Sequence, residues 1–142
     1  MSYLLDTCVL SELRKPAPDP NVTTWIDGVD ESHLYLSVIA LGEIQKGIAK
    51  LDESKKKRGL QLWLEQELHE RFAGRILTVD SAVALEWGIL QGLSARSGNP
   101  VPVVDSLIAA TAICHNLTLV TRNTTDFERM PVRLLNPWLW PD

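Results

Sequence analysis

Four acidic side chains stand where distant parts of the chain can be brought together. Asp6 follows the apolar run Tyr3-Leu4-Leu5, and Asp105 follows the apolar stretch from Pro100 to Val104. Asp126 comes just after the segment 117–123, and Glu43 lies in the second turn of a helical pattern that begins after Leu34-Tyr35-Leu36-Ser37. Each has an ordinary use: Asp6 and Asp105 as helix N-caps, Asp126 as a negative charge favoured at a helix N-terminus, Glu43 as a solvated helix residue. Ser, Thr or Asn would cap as well, so capping does not account for an Asp at three strand exits. Nor does it account for a Glu flanked at i−3 and i+4 by Ala40 and Gly47, small neighbours that leave its side of the helix open to another element.

Crowded carboxylates have a narrow chemical repertoire. Two of them about 4 Å apart repel by roughly 4 kcal/mol at an effective dielectric near 20. Three or four together offset a sizeable share of the roughly 5–15 kcal/mol by which a domain is stable. They must take up protons or hold a cation. Oxygen ligands without His or Cys select a hard ion, Mg2+ or Mn2+, and such an ion binds one or two carboxylates together with substrate phosphates. The chemistry indicated is that of phosphate esters.

Periodicity shows which elements must position these residues. Segments 2–6, 34–37, 75–80, 117–123 and 132–138 read as strands. Between the first two, 9–14 opens a helix, PAPDP at 16–20 is a rigid loop, and Asn21 is expected to cap a helix carrying Val22, Trp25, Ile26 and Val29 on one face. Leu41, Ile44, Ile48 and Leu51 mark the next amphipathic helix, and the period continues from Glu53 to Phe72 through Leu60, Trp63, Leu64 and Leu68. A helix from Ser81 closes at Gly98, another covers 103–116, and a short helical turn follows at 124–130. Strands alternating with helices require crossover connections. The expected fold is therefore α/β: one three-layer α/β/α domain over 1–142 with a central, mainly parallel sheet. Sites in such sheets lie beyond the carboxyl ends of the strands, where Asp6 sits.

The bulk properties exclude several classes. A 142-residue chain, 45% hydrophobic and 23% charged, is an ordinary globular composition with enough length to bury a core. Cys8 and Cys114 are far apart in apolar surroundings and read as small core residues, and the three histidines lack metal-ligand spacing. No run approaches 18 apolar residues and no leader pattern opens the chain, which places the protein in the cytoplasm, away from membranes. The net charge of −4 argues against binding nucleic acid by blanket phosphate neutralisation.

The segments LLDTCVLSEL, IALGEIQKGI, VVDSLIAATAICHNLTLVTRN and LLNPW, in that order, resemble the PIN-domain ribonucleases, specifically VapC-type toxins of toxin–antitoxin pairs and their FitB-like subgroup. The resemblance implies a Mg2+- or Mn2+-dependent endoribonuclease that cleaves structured RNA such as tRNA by in-line attack of water. Carried over residue by residue, it makes Asp6, Glu43, Asp105 and Asp126 the catalytic and metal-holding acids, with Asp6 and Asp105 the most direct. Some relatives carry an acid directly after Thr-Arg; here that place is Asn123 and the acid follows at Asp126, so the fourth position is open between them. Thr7 and Thr121 are expected to orient carboxylates, and Arg14 and Arg122 to contact phosphate. Implied partners are a VapB-type antitoxin, a second copy of the chain and DNA reached only through the antitoxin. The apolar-faced helices over 38–72 are the expected contact surfaces.

Trp25, Trp63 and Trp87 follow helical apolar spacing and are expected in packing, as are Trp138 and Trp140 at the sheet edge, while Lys55 to Arg58 read as a solvated face. A haloacid-dehalogenase-like phosphatase would need D-x-D where Asp6-Thr7-Cys8 stands, and a receiver domain a Lys where Thr121-Arg122-Asn123 ends the late strand. The alternative from another class is a non-catalytic, FitB-like partner in a DNA-binding complex, with the acids residual.

Overall fold

The computed structural model describes residues 1–141. Its five strands, β1 (Tyr3–Leu5), β2 (Leu34–Ser37), β3 (Ile76–Leu77), β4 (Thr118–Val120) and β5 (Leu134–Leu135), form one sheet in the order β3-β2-β1-β4-β5. Every pairing is parallel. The strands are shorter than their apolar segments: 75–80 contributes two residues and 117–123 three. A parallel sheet needs only enough ladder to fix the register, and the flanking residues serve the crossovers.

Side chains alternate along the strands to opposite faces. Leu5, Leu34, Leu36 and Val120 enter one core with Val9, Val22, Trp25, Ile44, Leu64 and Phe72, while Leu4 and Leu119 enter a second with Val83, Leu90, Ile108 and Phe127. The first core is covered by α1 (Thr7–Arg14), α2 (Pro20–Asp27), α3 (Val38–Ala49) and α4 (Lys55–Leu62); α4 passes through a π-helical turn (Trp63–Leu68) into α5 (His69–Arg71). The second core is covered by α6 (Ser81–Ser97) and α7 (Val103–Cys114). The three-layer α/β/α domain is thus the observed architecture.

Several local expectations change. α2 is capped by Asp19, whose carboxylate accepts the Asn21 N–H at 2.8 Å, and not by Asn21. Pro20 takes the first helical position, where a missing N–H costs nothing. Leu51 lies beyond the end of α3 and is exposed, and Cys114 is exposed rather than packed in the core. The apolar stripe over 38–72 (Ile44, Ile48, Leu64, Leu68, Phe72) faces the protein's own core. Exposed large apolar residues stand instead on α6, at Leu85, Ile89 and Leu93, and at Val103 and Val104. Trp25 meets Tyr3 edge-on with ring centroids 5.1 Å apart, and Trp138 packs on the first core while Trp140 stays exposed.

α6 and α7 run as an antiparallel pair, and this sets where Asp105 goes. Gly98, at φ 74°, closes α6 in the left-handed conformation that favours glycine. The Ser94 hydroxyl then ties the turn from both sides, donating to the Asn99 carbonyl at 2.6 Å and accepting the Val101 N–H at 2.8 Å. The Gln91 amide reaches the buried Ser106 hydroxyl at 2.7 Å. At the other end Cys114 meets the Ala82 carbonyl. The start of α7 is thereby fixed at the sheet edge where β1 and β4 end.

Candidate active site

β1 and β4 are neighbours in register, with Leu5 opposite Val120, so the next residues, Asp6 and Thr121, leave the sheet side by side. Asp6 is 8% exposed and Thr121 fully buried. The Asp6 Oδ1 accepts the Thr7 N–H at 2.9 Å and caps α1, while its Oδ2 accepts the Thr121 hydroxyl at 2.8 Å. Capping and site placement are therefore two uses of one carboxylate. The Thr121 oxygen also accepts the Asn123 N–H at 3.0 Å, which holds the chain after β4 against the end of β1.

Cys8 completes this junction, and sequence reading assigned it only to the core. Its Sγ lies 3.8 Å from Asp6 Oδ2 and 3.7 Å from the Thr121 hydroxyl, and accepts the Arg122 N–H at 3.5 Å. Burial and the Asp6 charge push the thiol's pKa up, so it stays protonated. The signal available in the sequence was its place two residues after Asp6 on a helix whose first turn faces the site.

Glu43 comes from α3, half-buried, and its Oε1 accepts the Thr7 hydroxyl at 3.1 Å. One threonine thus links two of the four acids, backbone to Asp6 and side chain to Glu43. Burial raises the Glu43 pKa, the Thr7 hydrogen bond opposes the rise, and the nearby Asp6 charge adds to it.

Asp105 is not a cap. α7 begins after Pro102, which makes no side-chain cap bond, and Asp105 stands in its first turn. Its pKa is pushed up to about 6, first by burial and then by the charges of Asp126, Asp6 and Glu43 in that order. Three carboxylates from three other elements act on it through space. Asp126 ends a three-residue 3-10 turn (Thr124–Asp126) and is exposed, as is Asn123 just before that turn.

The arginines lie differently. Arg122 stacks its guanidinium 5.2 Å from the Trp138 ring centroid while its backbone N–H holds Cys8. Arg14 sits at the far end of α1, over Trp63 at 5.8 Å in a separate cavity with Arg71 and Glu67, and is not brought to the acids.

The donor set suits a hard divalent cation: carboxylate oxygens, with hydroxyls behind them and the one nearby sulfur protonated. Among the described residues no three acidic, histidine or cysteine side chains are already drawn into a closed metal cage. Four like charges hold one another apart, which fits an ion taken up through one or two carboxylates with the others at a distance.

Thr121→Val tests the junction. It leaves the Asn123 N–H and the Asp6 Oδ2 without their partner, and about 1–3 kcal/mol of stability should be lost. Thermal melting should show the loss, and Thr121→Ser should recover most of it; an unchanged melt for the valine variant refutes the clamp.

A family model described as the PIN domain matches residues 3–132. The chain belongs to the PIN-domain family. This PIN domain is 40% identical over 135 residues to Toxin FitB of Neisseria gonorrhoeae, an alignment covering 95% of the chain and 97% of the relative. It is 37% identical over 135 residues to VapC ribonuclease Y4jK of Sinorhizobium fredii, covering 95% and 96%. A tRNA(fMet)-specific endonuclease VapC of Shigella flexneri is 31% identical over 134 residues, covering 92% of each. Among solved structures, FitAcB from Neisseria gonorrhoeae superposes with a TM-score of 0.89 at 39% identity, covering 96% of this PIN domain and 99% of that chain. VapBC2 from Rickettsia felis, bound to a DNA fragment from its promoter, superposes at 0.79 with 29% identity, covering 96% and 98%. No helix among the described residues is long and apolar enough to cross a membrane.

Proposed function

We propose that this PIN domain is a Mg2+- or Mn2+-dependent endoribonuclease, the toxin of a cytoplasmic toxin–antitoxin pair, neutralised by a VapB-type antitoxin. The observation that carries the reading is the mutual action of Asp6, Glu43 and Asp126 on Asp105, four carboxylates from four elements serving one space. Relatives named as VapC ribonucleases and a tRNA endonuclease support RNA as substrate, with structured RNA such as tRNA the target class. Relatives solved in VapBC and FitAcB assemblies support the antitoxin, and the promoter-bound one supports contact with DNA through that partner. The exposed α6 stripe supplies apolar surface for the antitoxin or a second copy.

Asp6 and Asp105 would hold the ion, with Glu43 and either Asp126 or Asn123 completing its surroundings. Bound there, it would supply positive charge against the carboxylates and the phosphodiester, and a Lewis-acid centre. The chain's own residues do the rest. Thr121 and the Thr7 N–H fix both oxygens of Asp6, and the Thr7 hydroxyl fixes Glu43. Glu43, with its proton affinity raised by burial, is suited to receive the proton of the attacking water. In-line displacement then leaves 5′-phosphate and 3′-hydroxyl ends.

The test is incubation of pure protein with total RNA, with and without Mg2+ or Mn2+. Discrete metal-dependent ends support the assignment. Intact RNA under all conditions, with retained assembly on promoter DNA alongside the antitoxin, favours the second reading: a non-catalytic DNA-binding partner, drawn from the likeness to FitB and to a DNA-bound complex.

A further inference from the structure

The acidic edge continues into a groove that the chemistry above does not use. α3 and the start of α7 enclose a cavity of about 450 Å3, within the roughly 300–1,000 Å3 of sites that take small ligands. Glu43 is part of its wall, so the groove opens directly off the carboxylates, and Val104, the chain neighbour of Asp105, lines it too. Val38, Ile39 and Val104 give it apolar surface; Lys46 and Lys50 give it two positive charges.

Two features show that the groove is made for something outside the protomer. Gly42 and Gly47 both line it, and a Cβ on either would meet nothing within 4 Å. Glycine inside a helix is destabilising relative to alanine, and no neighbour within the protein requires it here. Lys46 and Lys50 are exposed and, among the described residues, have no carboxylate at ion-pair distance, whereas Lys57 nearby is paired with Glu53 at 3.1 Å. Lys46 is close enough to Glu43 to act on its charge. In a chain of net charge −4, two unpaired cations beside an acidic site match a polyanion running away from that site.

We propose that this groove is a nucleotide subsite, holding the RNA residue next to the scissile phosphate with its base against Val38, Ile39 and Val104 and its far phosphate at Lys46 and Lys50. The subsite rests on the nuclease assignment and deepens it by naming where the substrate strand leaves the acids. The bare backbone at Gly42 and Gly47 lets a flat ring approach the helix. Neither amide nor hydroxyl side chains line the groove, so it reads no base edge and accepts any single-stranded residue.

Fluorescence anisotropy of a labelled single-stranded oligoribonucleotide, with Asp6→Asn as the uncleaving background, tests this. Adding Lys46→Ala and Lys50→Ala should weaken binding about tenfold and flatten the slope of log Kd against log salt by about 1.4, the value for two lost single-strand phosphate contacts. Gly47→Leu fills the groove from an exposed position and should weaken binding several-fold with the salt slope unchanged. With Asp6 intact, both changes should raise KM and leave kcat near wild type, and circular dichroism melts should match. Unchanged Kd and slope in both variants, in a protein that still cleaves RNA, overturns the subsite and leaves the nuclease standing. A shifted sedimentation coefficient for Gly47→Leu with unchanged RNA affinity assigns the groove to a protein interface and also overturns it. Wild-type protein that neither binds nor cleaves RNA removes both claims together.

Discussion

Asp6→Asn is expected to lower metal-dependent RNA cleavage by about 10²–10⁴-fold while leaving the fold intact. The range is that of a single group that stabilises charge or moves protons in a transition state. The fold should survive because asparagine caps α1 as well as aspartate does, keeping the bond to the Thr7 N–H. Its amide is also within reach of the Thr121 hydroxyl, which can accept as well as donate. What changes is charge. One of the three carboxylates acting on Asp105 is gone, so the metal-free variant should melt at or above the wild-type temperature. Cleavage assays with Mg2+ and Mn2+, beside thermal melts in chelator, check both halves. Full activity refutes the role of Asp6, and a large loss of stability refutes the claim that its charge serves chemistry rather than folding.

The second large effect is a dependence on pH centred on Asp105. Its pKa of about 6, against an ordinary 3.8, means that the folded protein holds this proton more tightly than the unfolded chain. Protonation therefore favours the fold. The contribution is fully present below about pH 3.8 and is lost as pH rises through about 6. Because the group is partly exposed, solvent screening reduces it to the order of 1 kcal/mol. Glu43 shifts in the same direction, from burial first. Cation binding runs opposite, since it needs the ionised carboxylate. At sub-saturating metal, cleavage should fall about tenfold between pH 7 and pH 5. Added Mg2+ should raise the melting temperature at pH 7 and do little at pH 5. Asp105→Asn should abolish the cation effect and flatten the metal-free stability between pH 4 and 6.5. A wild-type melt that is indifferent to both pH and Mg2+ over this range contradicts the shared acidic space.

Much of the architecture was legible along the chain because local chemistry decides it. The apolar runs at Tyr3–Leu5 and Leu34–Ser37 lie where strands form, and the helical spacing of Ile44, Ile48, Leu64 and Phe72 points at a core. Alternation of strands and helices was sufficient for a parallel, three-layer α/β domain. The types and strand-exit positions of the four acids were visible as well. Local misreadings arose where two residues could serve one task, as with Asp19 and Asn21 at the start of α2. Others arose where burial was inferred from neighbours alone, as with Cys114.

What the chain by itself determined is which residues can act: oxygen-bearing acids at the ends of buried strands. What only the tertiary structure decided is how they act on one another. The pairing of β1 with β4 puts Thr121 on Asp6 across 115 positions, and the turn after α6 delivers Asp105 to the same edge. It also makes Cys8 part of the site and frees Asp105 from capping. The reason is physical: propensity and periodicity are properties of neighbouring residues, whereas hydrogen bonding, desolvation and charge repulsion depend on distance through space.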